Sequence, residues 1–423
     1  MPIPIIAHGI QEGIDTIPYA WSVIKTAPWI LLLAALKYYF GGARNTSERL
    51  MHSKVVMVTG GTSGIGASVV RELAARGAQV ILLTTQPPSD FFLVEYIEDL
   101  RRMTGSQLIY AEQVDLSSLH SIRTFATKWI DNNPPRRLDA VVLCGGVAVP
   151  SGARQNTIDG IDEEWQVNYL ANFHLLSILS PALRVQPAHR DVRVVFATCS
   201  SYIGAKFNLD IVKREKLTPG TTTASVKNKS KFNPNTPPPA STKDIYALSK
   251  FTLMTFAHSF QRHLNAYKRP DGLPPCTRVL VVDPGLSRTP GTRRWLTGGS
   301  LLGLLLYLLT WPLWWLILKS PDQGAQSILY ALMEETYGRG GGGWMIKECR
   351  EVDCARRDVR DEDLGKRVWE FSEKQIEEAE KEGAVRRALE KKEKEAAEEK
   401  TARKETASNK EKSAGSRRSR KAK

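Results

Sequence analysis

At 423 residues, 42% hydrophobic and 25% charged, the chain is long and apolar enough to bury one large α/β core, which excludes a disordered protein and a small disulfide-stapled scaffold. Its net charge of +14 is unevenly placed: Arg386 to Lys423 carries 15 Lys/Arg against 7 Glu, so the folded part is only mildly basic and no nucleic-acid partner is expected. Five scattered cysteines (Cys144, Cys199, Cys276, Cys349, Cys354) read as free thiols in a reducing, cytosol-facing domain, with no metal site expected.

Residues 1–50 are expected to associate with a membrane. Ala27 to Phe40 is apolar apart from Lys37, and as a helix it rises about 21 Å, short of a bilayer core of about 30 Å. Aromatics at both ends (Trp29, Tyr38, Tyr39, Phe40) suit an interfacial or shallow anchor, the alternative being an amphipathic helix packed on the domain. Lys37, Arg44, Arg49 and Lys54 favour a cytosolic position for the large domain. No basic stretch precedes the apolar part, so a cleavable signal is not expected.

Lys54 to Gly66, KVVMVTGGTSGIG, is a strand, a glycine-rich turn and the start of a helix. Gly60 permits the tight turn, Gly64 lets the backbone approach a pyrophosphate, and Gly66 lets helix and strand pack closely. The helix N-terminus then presents free N–H groups to phosphates. Strand two, Gln79 onward, ends at Thr84-Thr85-Gln86, where an acid would bind ribose hydroxyls and a base a 2′-phosphate. Neither is present, which leans towards NADP(H) over NAD(H). A third strand, Leu108 to Leu116, includes Asp115, either an adenine contact or a cap on the next turn.

Leu138 to Leu143 is a buried strand that ends in the small residues Cys144-Gly145-Gly146. Ile161 to Leu183 reads as a long helix interrupted by Asn168 and Asn172, amides that need partners in such a setting. Val192 to Thr198 is another strand, followed by Cys199-Ser200-Ser201. Residues 206–243, rich in Pro, Thr, Lys and Asn, read as a flexible insertion. Tyr246 and Lys250 then share one face of a helix at i, i+4, and a neighbouring ammonium favours the phenolate of a tyrosine.

Arg278 to Val282 is the sixth strand, turned by Asp283-Pro284-Gly285 towards Thr289. Leu301 to Leu318 has no charge and would just span a bilayer as one helix, about 27 Å. Pro312, and a seventh strand expected at Gly341 to Lys347, argue against a crossing. The segment 300–319 is therefore expected either to dip into one leaflet or to fold as two short helices over the cleft, a membrane-contacting cap being preferred. The domain is drawn from 51 to 357, with 358–423 a charged helical and disordered tail.

Taken together, Thr59-Gly60-x-x-x-Gly64-Ile65-Gly66, Asn168, Ser200/Ser201, Tyr246-x-x-x-Lys250 and Pro284-Gly285 followed by Thr289 resemble the short-chain dehydrogenase/reductase family, over about residues 51 to 350. Asp283 to Thr289 with the apolar block and Lys319 to Gln326 is similar to its retinol-dehydrogenase-type branch, including fungal lipid-droplet oxidoreductases. The resemblance implies a doubly wound parallel Rossmann sheet of about seven strands and hydride transfer between NAD(P) and an alcohol or carbonyl. By the same resemblance Tyr246 exchanges the proton, Lys250 lowers its pKa and holds the ribose, a serine orients the carbonyl, and Asn168 fixes a relay water. Thr59, Gly60, Ser63, Gly64, Ile65, Gly66, Thr84, Thr85, Asp115, Pro284, Gly285 and Thr289 would complete the cofactor site.

Departures are plain. Leu143-Cys144-Gly145-Gly146 stands where the family has Asn-Asn-Ala-Gly, and counting from Arg193 puts Cys199 at the serine's place, whereas matching Ser-Ser to Ser-Ser gives Ser201. Ser201 is preferred, Ser200 second. The reading is an oxidoreductase for a lipophilic substrate of retinoid, steroid or long-chain type, on the cytosolic face of the endoplasmic reticulum or a lipid droplet, with a homodimer left open. The alternative is a catalytically silent membrane scaffold acting through its basic tail.

Overall fold

The computed structural model describes residues 19–150, 155–213 and 242–420. The apolar, β-branched runs become strands buried by helices on both sides, as parallel sheets require. β1 (Val55–Thr59), β2 (Gln79–Thr84), β3 (Ile109–Gln113), β4 (Ala140–Leu143), β5 (Val192–Ala197), β6 (Thr277–Asp283) and β7 (Trp344–Lys347) are parallel. β8 (Arg350–Val352) adds an antiparallel edge, so the sheet has eight strands where about seven were expected. The two residues between β7 and β8, Glu348 and Cys349, both have φ of 52°, the double left-handed turn of a tight hairpin. Nothing in Glu-Cys advertises such a turn, which normally takes Asn or Gly.

The strand order β3-β2-β1-β4-β5-β6-β7-β8 reverses between β1 and β4. Loops leaving the carboxyl ends of those strands diverge there and open a crevice. One face of the sheet is covered by the helices Leu119–Ile130, Ala171–Arg184 and Thr242–Ala266, the other by Gly64–Ala75, Phe91–Thr104 and Pro321–Met333.

The packing does not stop at 357. One helix runs Glu362–Arg420, and its first part buries Val368, Ser372, Gln375, Ile376 and Ala379 on the domain. Trp165 Nε1 donates to Gln375 Oε1 at 2.9 Å, and the Tyr169 and Ser372 hydroxyls lie 2.6 Å apart. The apolar positions of this stretch are diluted by charge, which is why it reads as tail. Of the expected insertion, residues 214–241 lie outside the described residues; before them Leu209–Val212 forms a short 3₁₀ turn.

Two apolar elements remain outside the core. The N-terminal helix runs Ala20–Gly41, longer than the fourteen residues expected, and Trp21–Gly41 is long and apolar enough to cross a membrane. The block at 301–318 folds as two helices, Leu301–Leu309 and Trp311–Ile317, broken at Thr310. At about 1.5 Å per residue neither spans a bilayer, so a single crossing there is excluded. Leu301, Leu302, Leu306 and Leu309 are exposed, and Lys37 Nζ ties the two apolar elements together by donating to the carbonyls of Trp315 and Leu318.

Among the described side chains the helix adds apolar cover to the core through about Ala379, so removing residues 394–423 is expected to leave the melting temperature unchanged. Removing 362–423 should abolish the cooperative transition, since Trp165 and Tyr169 lose their cover; calorimetry on the two truncations checks this.

Candidate active site

The crevice is built from close backbone approaches. Gly60 has φ of 66°, and a Cβ there would lie 2.8 Å from the Cα of Gly145. The Thr59 hydroxyl accepts the Gly145 N–H at 3.0 Å, so the loops after β1 and β4 are stitched together. That bond does the bracing for which the Cys144-Gly145-Gly146 sequence offers no side-chain amide. Gly64, φ 57°, faces Thr289 from the other side, with a hypothetical Cβ 3.2 Å from Thr289 Cγ2.

The helix Gly64–Ala75 starts after Ser63, whose side chain makes no capping bond, whereas Asp90, Ser118, Ser300 and Ser320 cap theirs. Its first N–H groups are thus left to the crevice, at the positive end of the helix dipole. Ile65 packs beneath, against Gly324 of the neighbouring helix. This cradle fits the diphosphate of a dinucleotide. At the end of β2 the Thr84 hydroxyl meets Gln86 and the Thr85 carbonyl accepts from Gln113 Nε2. Asp115 lies just beyond β3, in a loop, and accepts the N–H and hydroxyl of Ser117 through Oδ1, at 2.8 and 2.7 Å, so the capping role is realised.

Past β5, Cys199 is extended (φ −155°, ψ 162°) and a 3₁₀ turn begins at Ser200, so the two side chains take different partners. Ser200 Oγ donates to Asp283 Oδ2 at 2.6 Å and accepts from Lys347, while the Gly285 N–H, in a turn of φ 76°, donates to Asp283 Oδ1. Ser200 thus supports the Pro284-Gly285 turn and does not join Tyr246. Cys199 Sγ lies 3.6 Å from Tyr246 Oη and 2.8 Å from Ser201 Oγ. Cys199 is the residue that touches the phenol, and Ser201 stands behind it. The signal for this was the count from Arg193; the pull of Ser-Ser hid it.

Tyr246 and Lys250 do share a helix face, with Lys250 Nζ 5.8 Å from the phenol ring centroid. The expected lowering of the phenol by Lys250 is not what the surroundings give. Burial first, then the Cys199 thiol, then Glu164 and Asp283, hold Tyr246 well above its ordinary 10. Burial pulls Lys250 down, against Cys199 and Cys144, and its ammonium reaches the Ala197 carbonyl at 3.5 Å. Burial likewise pushes the Cys144 thiol up to about 12.

Asn168 is fully buried inside a π-helical turn, Gln166–Leu170, that interrupts the expected long helix. Such turns free backbone groups and recur at functional sites. Its amide exchanges two bonds with Val147, accepting the N–H at 2.7 Å and donating to the carbonyl at 2.9 Å, and also donates to Ser249. Asn172 donates to the Asn168 carbonyl. Asn168 therefore holds the loop after β4 against the Tyr246 helix. Glu164, which carries no signal in the sequence, does the same one turn earlier by accepting the Val149 N–H at 2.6 Å.

A reversing parallel sheet, a phosphate cradle at its switch point and a Tyr/Lys pair at the carboxyl ends define a dinucleotide-dependent oxidoreductase. Similarity to known proteins makes the class specific. The family described as short chain dehydrogenase matches residues 54–207. The chain is 41% identical over 384 residues to the uncharacterized oxidoreductase pbr1 of Schizosaccharomyces pombe, covering 90% of this chain and 97% of that one. It is 30% identical over 318 residues to polyprenol dehydrogenase of Mus musculus (75% and 82% covered) and 26% identical over 335 residues to retinol dehydrogenase 13 of Homo sapiens (79% and 88%). A solved structure of an uncharacterized protein from Mycobacterium paratuberculosis shares the fold, with a TM-score of 0.50 at 22% identity, covering 80% of this chain and 97% of that one. The chain belongs to the short-chain dehydrogenase/reductase family, in its retinol-dehydrogenase-like branch, and is an NAD(P)-dependent oxidoreductase acting between alcohols and carbonyls.

Glu164 is raised from 4.5 to about 7, chiefly by burial, with Asp162 and Glu163 adding to it and the Val149 N–H opposing. Its folded pKa exceeds the unfolded one, so its contribution to stability is full below about 4.5 and is lost as pH rises through about 7. Glu164→Gln, which keeps the acceptor and stays neutral, should flatten the fall in melting temperature between those pH values; an unchanged slope would contradict this.

Proposed function

We propose that this oxidoreductase takes a lipophilic carbonyl or alcohol from a membrane, with NADP(H) preferred to NAD(H). The observation that carries the reading is the junction of apolar surface and active site. The Ser287-to-Lys319 bridge joins the loop after Gly285 to the end of the exposed helix Trp311–Ile317, and Arg288 lies over the Trp311 ring at 5.3 Å. Thr289, two residues after Ser287, faces Gly64. A substrate dissolved in lipid would enter the cleft along this junction, at the carboxyl ends of the strands where such folds bind their ligands. The Ala20–Gly41 helix anchors the same face, and its basic flank supports a position on the cytosolic side of the endoplasmic reticulum or of a lipid droplet.

When bound, the nicotinamide cofactor supplies or accepts a hydride at the substrate carbon. Tyr246, its proton held by burial, suits donation of that proton to the substrate oxygen, which supports carbonyl reduction at neutral pH. Lys250 stands over the ring, its Nζ 5.8 Å from the centroid. Gly60, Gly64, Gly66 and the N–H groups after Ser63 would hold the diphosphate, Lys250 the ribose, and Thr289 the carboxamide. At the end of β2, Thr84, Thr85 and Gln86 include no carboxylate to repel a 2′-phosphate, which supports NADP(H).

Fluorescence transfer from tryptophan to the reduced nicotinamide should show tighter binding of NADPH than of NADH, abolished in Gly64→Trp. Tyr246→Phe should keep nucleotide binding and lose turnover by roughly 100-fold or more. Deleting 301–318 should release the protein from membranes or end turnover of long-chain substrates; if neither changes, the lipid-facing path is wrong.

A further inference from the structure

We propose that Cys199, rather than either serine, is the catalytic residue that holds the substrate oxygen beside Tyr246, with Ser201 orienting its thiol. This rests on the oxidoreductase reading and adds to it the identity of the third group at the reacting atoms.

Three side chains compete for that place. Ser200 is committed to Asp283 and Lys347. Ser201 reaches Cys199 Sγ at 2.8 Å. Cys199 Sγ is the one in contact with Tyr246 Oη, at 3.6 Å, inside the range of a sulfur hydrogen bond. Its place is fixed by the fold. β5 is held in register between β4 and β6, Phe196 lying beside Leu143 and Val281, and the extended backbone carries Cys199 onto the side where Lys250 meets the Ala197 carbonyl. With the Ser201 hydroxyl donating to sulfur, the S–H is free to turn towards an oxygen that Tyr246 also faces. The step is a hydrogen bond: Tyr246 gives its proton to the substrate oxygen, and the thiol keeps its own.

A thiol is a weaker donor than a hydroxyl. It is also an alkylation target, so the group that positions substrate doubles as a site where the enzyme can be switched off by electrophiles. Cys199, in contact with the phenol, also contributes to the raised proton affinity of Tyr246. That gives a readout which a purely structural cysteine would not move.

The test uses the full-length protein in detergent micelles, with N-ethylmaleimide as the thiol probe, labelling at Cys199 read by peptide mass spectrometry, and decanal as the carbonyl. NADPH should slow Cys199 labelling severalfold while leaving Cys354 unaffected. Cys199→Ala should lower kcat by about tenfold, a smaller loss than removing a full oxyanion donor. It should also move the Tyr246-dependent limb of the pH profile to lower pH. Cys199→Ser should restore turnover to within about twofold and make it resistant to N-ethylmaleimide. Cys199 labelling unchanged by NADPH, in protein shown to bind it, overturns this proposal alone, as does a Ser201→Ala variant that loses turnover while Cys199→Ala keeps it. Absence of nucleotide binding in the wild type sinks the oxidoreductase reading itself.

Discussion

A methyl group on Gly66 would sit 2.2 Å from the carbonyl oxygen of Gly60. The turn between β1 and the helix after it therefore closes only around a hydrogen at that position, and much of the crevice is measured from it. With the turn closed, Thr59 can reach the Gly145 N–H and set the separation of the β1 and β4 loops. The helix N-terminus is then aimed into the gap, and Gly64 comes up against Thr289. A shift of even about half an ångström at Gly66 would spread to each of these contacts, because none of them runs through a long, flexible side chain.

Beyond that turn, the site is held by polar groups that act on backbone. Asn168 and Glu164 fix the loop after β4 through Val147 and Val149, and Asp283 fixes the loop after β6 with help from Ser200 and Lys347. Asn168, Glu164 and Asp283 are all buried, and a buried acceptor left without its donor costs more than the bond returns. Tyr246 and Lys250 stand between the two braced loops. Burial acts on them in opposite senses, holding the proton on the phenol and loosening it on the ammonium.

Local pattern made the Gly60–Gly66 turn, the apolar strands and the Tyr246/Lys250 face legible, because each depends on residues within one or two turns of one another. The pair of short helices at 301–317 was legible as one of two alternatives, with Pro312 as its cue. What escaped depends on distant partners. Val368, Ile376 and Ala379 look like interruptions in a charged tail until Trp165 and Tyr169, roughly two hundred residues earlier, are seen to need cover. Choosing among Cys199, Ser200 and Ser201 required knowing where the extended backbone gives way to a 3₁₀ turn, which fixes their directions and which no spacing rule encodes. The eighth strand was invisible because its turn is made by Glu348 and Cys349, residues with no preference for it. They are held there from outside: Lys319 pairs with Glu348, which also accepts the Ala43 N–H at 2.9 Å.

That clamp has a bearing on how the molecule keeps its own company. β8 is three residues long and opens with Arg350 and Glu351, both exposed. A sheet ordinarily offers its outermost strand as a template on which another chain can add. Here the template is cut short, charged and turned back by a hairpin fastened to the end of the N-terminal helix, the means by which natural sheets avoid joining edge to edge. Where copies of the chain meet, such a terminus lets neighbours collide without zipping together.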